Sequence, residues 1–331
     1  MDQVTPEGIL RSAQGFMESR ILLTAAELNL FSALKAAPLS PADLAGRTGC
    51  DARALTVLLD ALASMGFLVK REQTYACGES AGRLLTDDSP ASVLPMLRHM
   101  ATLWKRWSRL TDIVGDPDGA GDLSGVRWDP EEQLAFIGAM HAVSRPLAER
   151  TVASVGADAG AKALLDVGGG SGSYTIAFLE AVPGMQATLF DLPEVIEMAR
   201  ERIQAEGLLG RVRLVPGDYH QDPLPSGNDL ALLSAVIHSN SPEQNRSLYR
   251  KVFLALDPGG RILIRDHVMD EDRTRPRSGA IFAINMLVGT QGGGTYTYRE
   301  IEKGLSDAGF TGVRLLRGGE QMDAIVEARK P

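Results

Sequence analysis

One stretch constrains this chain more than any other: Leu164-Leu165-Asp166-Val167-Gly168-Gly169-Gly170-Ser171-Gly172-Ser173. An apolar run ends in an acid, a glycine-rich turn follows at once, and Tyr174-Thr175-Ile176-Ala177-Phe178-Leu179 opens a helical pattern. Strand, glycine turn and helix in that order build a cradle for a cofactor. Glycines allow positive φ and let backbone approach a ligand closely.

The pattern around this stretch extends it into a sheet. Ala163–Val167, Gln186–Phe190, Val212–Val215, Leu230–Leu233 and Arg261–Ile264 are short apolar strands with helical stretches between them. From about Asp129 onward this predicts an open, mostly parallel α/β sheet of the Rossmann-like kind, with ligands at the strand C-termini. The first hundred residues read differently. Ile9 to Leu34 is one long amphipathic pattern. Ser40-Pro41 and Asp51-Ala52 open two further helices, the second closed by Gly66. Phe67–Lys70 and Thr74–Cys77 form a hairpin, completing a winged-helix plan. Met96–Trp107 is an aromatic-rich helix, and Gly115 to Gly125 reads as a loop. The expected division is a mainly α winged-helix domain over 1–105 and an α/β domain over 106–331.

A winged helix that reads DNA presents basic and amide side chains on its second helix. Here that helix is Arg53-Ala54-Leu55-Thr56-Val57-Leu58-Leu59-Asp60-Ala61-Leu62, nearly all apolar, which points to packing instead. The net charge of −8 over 331 residues also argues against nucleic acid or an anionic membrane as partner. No apolar run reaches the roughly 20 residues of a membrane span, and the N-terminus lacks a signal-peptide plan. Two cysteines, Cys50 and Cys77, form no CxxC. A cytoplasmic protein without disulfides or structural zinc is expected.

A nicotinamide fold wants G-x-G-x-x-G, but the third position here is Ser173. Instead Asp166, Gly168, Gly170 and Gly172 alternate. An acid at the end of the first strand suits an ammonium group and repels a pyrophosphate. Strand two ends at Asp191-Leu192, about 20 residues past the glycines, where an acid can hold both ribose hydroxyls. Strand three ends at Asp218-Tyr219, an acid beside a ring, suited to adenine. In order and at this spacing the acids favour S-adenosylmethionine.

These residues carry a resemblance. Asp166-Val167-Gly168-Gly169-Gly170-Ser171-Gly172 with Phe190-Asp191-Leu192-Pro193 resembles the two-domain methyltransferases typified by caffeic acid and hydroxyindole O-methyltransferases and by bacterial antibiotic-tailoring enzymes of secondary metabolism. The likeness covers nearly the whole chain. It implies a homodimer made by the winged-helix domain and S-adenosylmethionine bound by the C-terminal domain. It places Gly168 and Gly170 at the methionyl end, Asp191 with Leu192 at the ribose, and Asp218 and Tyr219 at the adenine. Met140 and Ser144 match a Met-x-x-x-Ser before the glycine strand, where the serine approaches the donor carboxylate. Ser234 stands where the family often has a donor-contacting lysine.

The resemblance also implies an acceptor site. The family's general base follows strand four, usually in His-Asp-Trp; this chain has His238-Ser239-Asn240. A positioned neutral imidazole removes a phenol proton well near neutral pH. Asp266 occupies a position often held by glutamate, one methylene longer. Thr295 replaces a second acid and Tyr296 an arginine, so the acid–base apparatus is thinner than the family's usual one. Phe282, Asn285, Met286 and Gln291 lie on the segment lining the acceptor pocket. The expected activity is O-methylation of a small aromatic hydroxylated molecule. The alternatives are C- or N-transfer to a conjugated acceptor, a regulator with a degenerate enzyme domain, and an oxidoreductase. His220, His238, Asp266 and His267 all fall near strand ends, but are read as hydrogen-bonded polar residues without a metal.

Overall fold

A seven-stranded sheet organises the C-terminal half, and its strand ends set out the candidate site. The computed structural model describes residues 4–89, 91–116, 137, 144–155 and 160–331. The strands are β3 (Ala163–Val167), β4 (Gln186–Asp191), β5 (Val212–Pro216), β6 (Asn228–Ser234), β7 (Leu256–Asp266), β10 (Thr311–Arg317) and β11 (Ala324–Arg329), in the order β10-β11-β7-β6-β3-β4-β5. β5, β4, β3, β6 and β7 pair in parallel, and β11 runs antiparallel to both its neighbours. A smaller pair, β8 (Val268–Met269) with β9 (Tyr296–Thr297), continues beyond the end of β7.

The five strands read from sequence are all present, with β3 at the expected bounds. β7 is longer than expected. Its first residue, Leu256, pairs with Asn228 before the register shifts. β10 and β11 are additional. Parallel central strands are buried on both faces, which explains their near-continuous Val, Ile, Leu and Ala runs. One face carries Leu165, Val167, Leu233, Ile262 and Ile264 against α11 (Pro242–Ala255) and α13 (Tyr298–Asp307). The other carries Leu164, Leu230, Leu232 and Leu263 against α9 (Ser173–Ala181) and a helix described over residues 144–154, here α8.

Residue contacts divide the chain into two compact units, Met1–Lys105 and Arg106–Pro331. In the first, the amphipathic stretch is two helices, α1 (Pro6–Glu27) and α2 (Leu30–Lys35). The break falls at Asn29, whose φ of 52° is left-handed, a conformation asparagine tolerates better than most residues. α3 (Pro41–Thr48) and α4 (Ala52–Ser64) begin as expected, with Ser40 and Asp51 accepting from the Asp43 and Ala54 backbone N–H groups. Leu55, Leu59 and Leu62 of α4 are core residues, packed with Leu30, Phe31 and Leu44. β1 (Leu68–Arg71) and β2 (Thr74–Cys77) form the hairpin, and the Tyr75 hydroxyl donates to Asp60 of α4 at 2.7 Å. α5 (Glu79–Leu84) and α6 (Leu94–Trp107) follow, and α7 (Leu110–Gly115) begins the second unit. Among the described residues no helix is long and apolar enough to cross a membrane.

The β7–β11 pair buries a charged network. Glu327 is 1% exposed and accepts from Arg261 at 3.0 Å and from Arg314 at 2.6 Å. Removing one partner of a buried pair leaves an uncompensated charge, here the Arg261 guanidinium. Glu327→Ala is therefore expected to cost about 3–5 kcal/mol in urea unfolding. A loss under about 1 kcal/mol would show that Arg261 is satisfied without it.

Candidate active site

The glycine turn joins β3 to α9 with three left-handed residues, Gly168 (φ 67°), Gly170 (φ 55°) and Gly172 (φ 80°). A Cβ at Gly168 would come 3.0 Å from Val236, and its ring-side neighbour is Tyr219 at 3.9 Å. Here conformation and space both demand glycine. Asp166 lies beneath the turn, 1% exposed, accepting from the Thr175 hydroxyl at 2.7 Å. Burial pushes its pKa up to about 6; the Thr175 bond opposes this and Asp191 adds to it.

Asp191, at the end of β4, faces the turn. Its carboxylate accepts from the backbone N–H groups of Gly170 and Leu192, each at 2.7 Å. Burial raises its pKa, while those two N–H groups lower it. Each carboxylate oxygen keeps a second lone pair for a ligand hydroxyl. Leu192 then leads into Pro193 at the start of α10 (Pro193–Ala205). Asp218 is committed to its own turn, accepting from the His220 N–H at 2.8 Å and the Gln221 amide at 2.9 Å. Tyr219 stacks at a tilt on His220, ring centroids 4.5 Å apart, and burial raises its phenol pKa.

The base candidate is built by β6 and β7 together. Ser234 pairs with Arg265, so the chain leaving β6 passes directly beside Asp266. Ala235 turns sharply, at φ 58°, and donates to the Arg265 carbonyl at 2.8 Å. A non-glycine residue in this region stores strain that the surroundings must hold. His238 follows in a short 3-10 turn (Ile237–Ser239), 9% exposed. Its Nδ1 lies 2.9 Å and 3.0 Å from the two oxygens of Asp266. Asp266 is 1% exposed and also accepts from the His267 N–H at 2.8 Å. Burial raises the Asp266 pKa, but His238, the His267 N–H and Arg265 together outweigh it and hold the carboxyl below its usual range. The shorter side chain of aspartate therefore reaches the imidazole.

A second set of bonds fixes the turn from below. Asn245 donates to the Ile237 carbonyl at 2.9 Å and accepts from Asn240 at 3.0 Å. Gly294 N–H donates to the His238 carbonyl at 2.9 Å, and the Tyr296 hydroxyl donates to the Asn240 carbonyl. A Cβ at Gly293 would come 2.4 Å from the His238 carbonyl, so the glycine segment must lie this close. Among the described residues no hydrogen bond joins Thr295 to His238. Tyr296 and Asn245 act on the turn's backbone and the Asn240 amide bonds Asn245, a support not legible in the sequence.

Of the expected acceptor residues, Phe282 on α12 (Arg277–Gly289) meets His238 edge-on, ring centroids 4.9 Å apart, and lies 5.1 Å from the His267 ring. Asn285 accepts from the Trp107 indole at 3.0 Å. Met286 is buried in the helix, and Gln291 is exposed beyond its end, so neither is brought to His238 by a described contact. Ser144 opens the described part of α8, while Met140 lies outside the described residues. Ser234 accepts from Arg265 at 3.2 Å. Among the described residues no cluster of three or more His, Cys, Asp or Glu side chains could hold a metal.

With this geometry in place, comparisons with known proteins become informative. Residues 113–311 match the model of the O-methyltransferase domain, and residues 10–87 match that of the O-methyltransferase dimerisation domain. The chain is 34% identical over 315 residues to 3-hydroxy-5-methyl-1-naphthoate 3-O-methyltransferase of Streptomyces sahachiroi, covering 92% of this chain and 89% of that protein. Human N-acetylserotonin methyltransferase in complex with SAM superposes with a TM-score of 0.80 at 28% identity, over 97% of this chain and 96% of that one. N,N-8-amino-8-demethyl-D-riboflavin dimethyltransferase of Streptomyces davawensis superposes with a TM-score of 0.79 at 26% identity, over 99% and 100% of the two chains.

The raised pKa of Asp166 has a measurable sign. The carboxyl titrates at about 6 in the folded protein against an ordinary 3.8. The stability that protonation confers is present below pH 4 and lost as pH rises through 6. Without ligand, Asp166→Asn is expected to be more stable than wild type at pH 8 by up to about 3 kcal/mol. The gap should close between pH 6 and pH 4 in thermal unfolding scans. A variant less stable at pH 8 would show that the buried charge is compensated.

Proposed function

The chain belongs to the O-methyltransferase family, and on that premise we propose that it methylates a hydroxyl of a small aromatic acceptor with His238 as general base. S-adenosylmethionine is the methyl donor; when bound it supplies a methyl group already activated by a sulfonium charge. The chain's own residues then have three tasks: to hold the donor, to orient the acceptor, and to take its proton.

For the donor, the left-handed glycines let backbone come close at the methionyl end, and Asp166 offers a carboxylate to an ammonium. An arriving cation offsets the desolvation that raises the Asp166 pKa. Asp191 offers lone pairs to ribose hydroxyls, with Leu192 beside it. Asp218 and Tyr219 border the position of the adenine. Ser144, at the start of the described part of α8, completes the methionyl end.

For the acceptor, the observation that carries the reading is the His238–Asp266 pair. An ionised carboxylate beside Nδ1 makes that nitrogen the N–H donor, which leaves Nε2 as the lone-pair acceptor. Nε2 can take the proton of an acceptor hydroxyl, and the same carboxylate stabilises the imidazolium that results. Phe282 fixes the ring by edge contact and supplies an apolar wall for a flat acceptor. Asn285 and Met286 lie on the same helix, and Gln291 follows beyond its end. The naphthoate methyltransferase among the relatives supports an aromatic hydroxyl as the target. The matched dimerisation domain supports a homodimer.

A second reading has its own support in the riboflavin-type dimethyltransferase, whose name places its methyl groups on an amino nitrogen. An aromatic amine is uncharged near neutral pH and needs less help from a base, and a carbon nucleophile on a conjugated ring is a further case.

A panel of hydroxylated and aminated naphthoates with isotope-labelled S-adenosylmethionine, read by mass spectrometry, separates these readings. His238→Ala is expected to lower turnover on the hydroxyl acceptor about 10²–10⁴-fold, with S-adenosylhomocysteine affinity unchanged within about twofold. Asp266→Asn should fall between the variant and wild type. Turnover of His238→Ala within a few-fold of wild type would remove the base, and a labelled N-methyl product would select the second reading.

A further inference from the structure

Asn240 stands where the related enzymes usually carry a tryptophan, and the exchange changes what the position can do. An indole N–H only donates, whereas an amide both donates and accepts. Asn240 is 0% exposed and Asn245, on α11, is 4% exposed. Buried amides need partners at both ends, and here their bonds form a line.

The direction of that line is fixed at one end. The Ile237 carbonyl can only accept, so Asn245 turns its Nδ2 to it, at 2.9 Å. Asn245 then presents Oδ1 to Asn240, which answers with Nδ2 at 3.0 Å. That leaves Asn240 Oδ1 to accept from the Tyr219 hydroxyl at 3.4 Å, the longest of the three links. Burial raises the Tyr219 phenol pKa, with Asp191 and Asp218 adding to it, so the hydroxyl keeps the proton it donates. The Asn240 carbonyl accepts from Tyr296, which holds the middle of the line in place. Successive hydrogen bonds of one direction polarise and strengthen one another.

The two ends of the line lie in different half-sites. Tyr219 borders the glycine turn: a Cβ at Gly168 would come 3.9 Å from its ring. Ile237 opens the turn that carries His238. The Ile237–His238 peptide is a rigid plane. Its carbonyl faces Asn245, and its N–H faces Asp266 at 3.4 Å. A tilt imposed at the carbonyl is therefore felt at the carboxylate that orients the imidazole. One helix anchors both half-sites. Asn245 of α11 holds the His238 turn, and Lys251 of the same helix donates to the carbonyls of Tyr219, His220 and Asp222 at 2.8, 3.0 and 2.9 Å. With both main chains fixed, the Tyr219 side chain is the part left to move, and its hydroxyl ends the line.

We propose that Asn240 and Asn245 are positioning residues that couple the methyl-donor half-site to the proton-accepting one, so that a ligand seated against Tyr219 reorients the His238 turn. The proposal rests on the reading of Tyr219 as the border of the adenine.

Imidazole 15N NMR of His238 in the full-length protein, with and without saturating S-adenosylhomocysteine, tests this without turnover. The ligand is expected to move the His238 signals in the wild-type protein. In Tyr219→Phe, which keeps the ring and loses only the hydroxyl, the movement should fall to less than about half, with S-adenosylhomocysteine affinity within about threefold by calorimetry. Asn240→Leu, of similar volume, should show the same loss. Tyr298→Phe removes a hydroxyl that bonds the Val313 carbonyl, outside this line, and should keep the full movement. A purely structural role would lower the melting temperature and leave the response to ligand intact. If Asn240→Leu does not fold, Tyr219→Phe decides. The proposal is overturned by ligand binding without movement in the wild type, by undiminished movement in Tyr219→Phe or a folded Asn240→Leu, or by an equal fall in Tyr298→Phe. Loss of S-adenosylhomocysteine binding in Tyr219→Phe would also overturn it, by placing the hydroxyl on the ligand itself. A wild-type protein that binds no S-adenosylhomocysteine would instead overturn the donor reading.

Discussion

The parallel pairing of β6 with β7 is the constraint on which the site depends. Ser234 lies beside Arg265, and the next residues on each strand diverge to opposite tasks. Side chains alternate along a strand. Asp266 therefore falls on the face of Ile262 and Ile264, where His238 arrives, and Arg265 falls on the face of Leu263, where the glycine turn and α9 lie. Two consecutive charged residues at one strand end meet different surroundings because a strand has two faces. A slip of one residue would exchange them and leave His238 without its carboxylate.

Holding such charges in the interior takes partners for the carboxylates. The Asp266 carboxylate has its imidazole and a backbone N–H. Asp191 has two backbone N–H groups. Glu327 has two arginines. Asp166 and Arg265 lie on the face of Leu164 and Leu263, and no ion pair joins either to an opposite charge among the described residues. The strain at Ala235 belongs to the same economy, because it is the turn that delivers His238 to Asp266.

Much of this was legible from sequence, for local reasons. The glycine turn, the acids at the ends of β3, β4 and β5, and the caps at Ser40 and Asp51 are signals written within a few residues of the element they define. What depends on register was not legible. That aspartate reaches His238 follows from how β6 and β7 align, and Asn245 supports the turn from a helix seven residues on. β10 and β11 escaped notice because much of β10 is exposed and breaks the apolar pattern. The break between α1 and α2 is not legible because Asn29 resembles any polar residue until its φ is known. Arg265 did carry a signal: a charge next to Ile262-Leu263-Ile264 in a central parallel strand must be buried.

The proposed proton transfer turns on Asp266 setting the tautomer of His238. The most direct measurement is 15N NMR of the His238 imidazole in the full-length protein near pH 7.5, assigned by loss of its signals in His238→Ala. The account predicts a protonated Nδ1, hydrogen-bonded to Asp266, and an unprotonated Nε2, with the pattern lost in Asp266→Asn. A proton resident on Nε2 in the wild-type protein would contradict it.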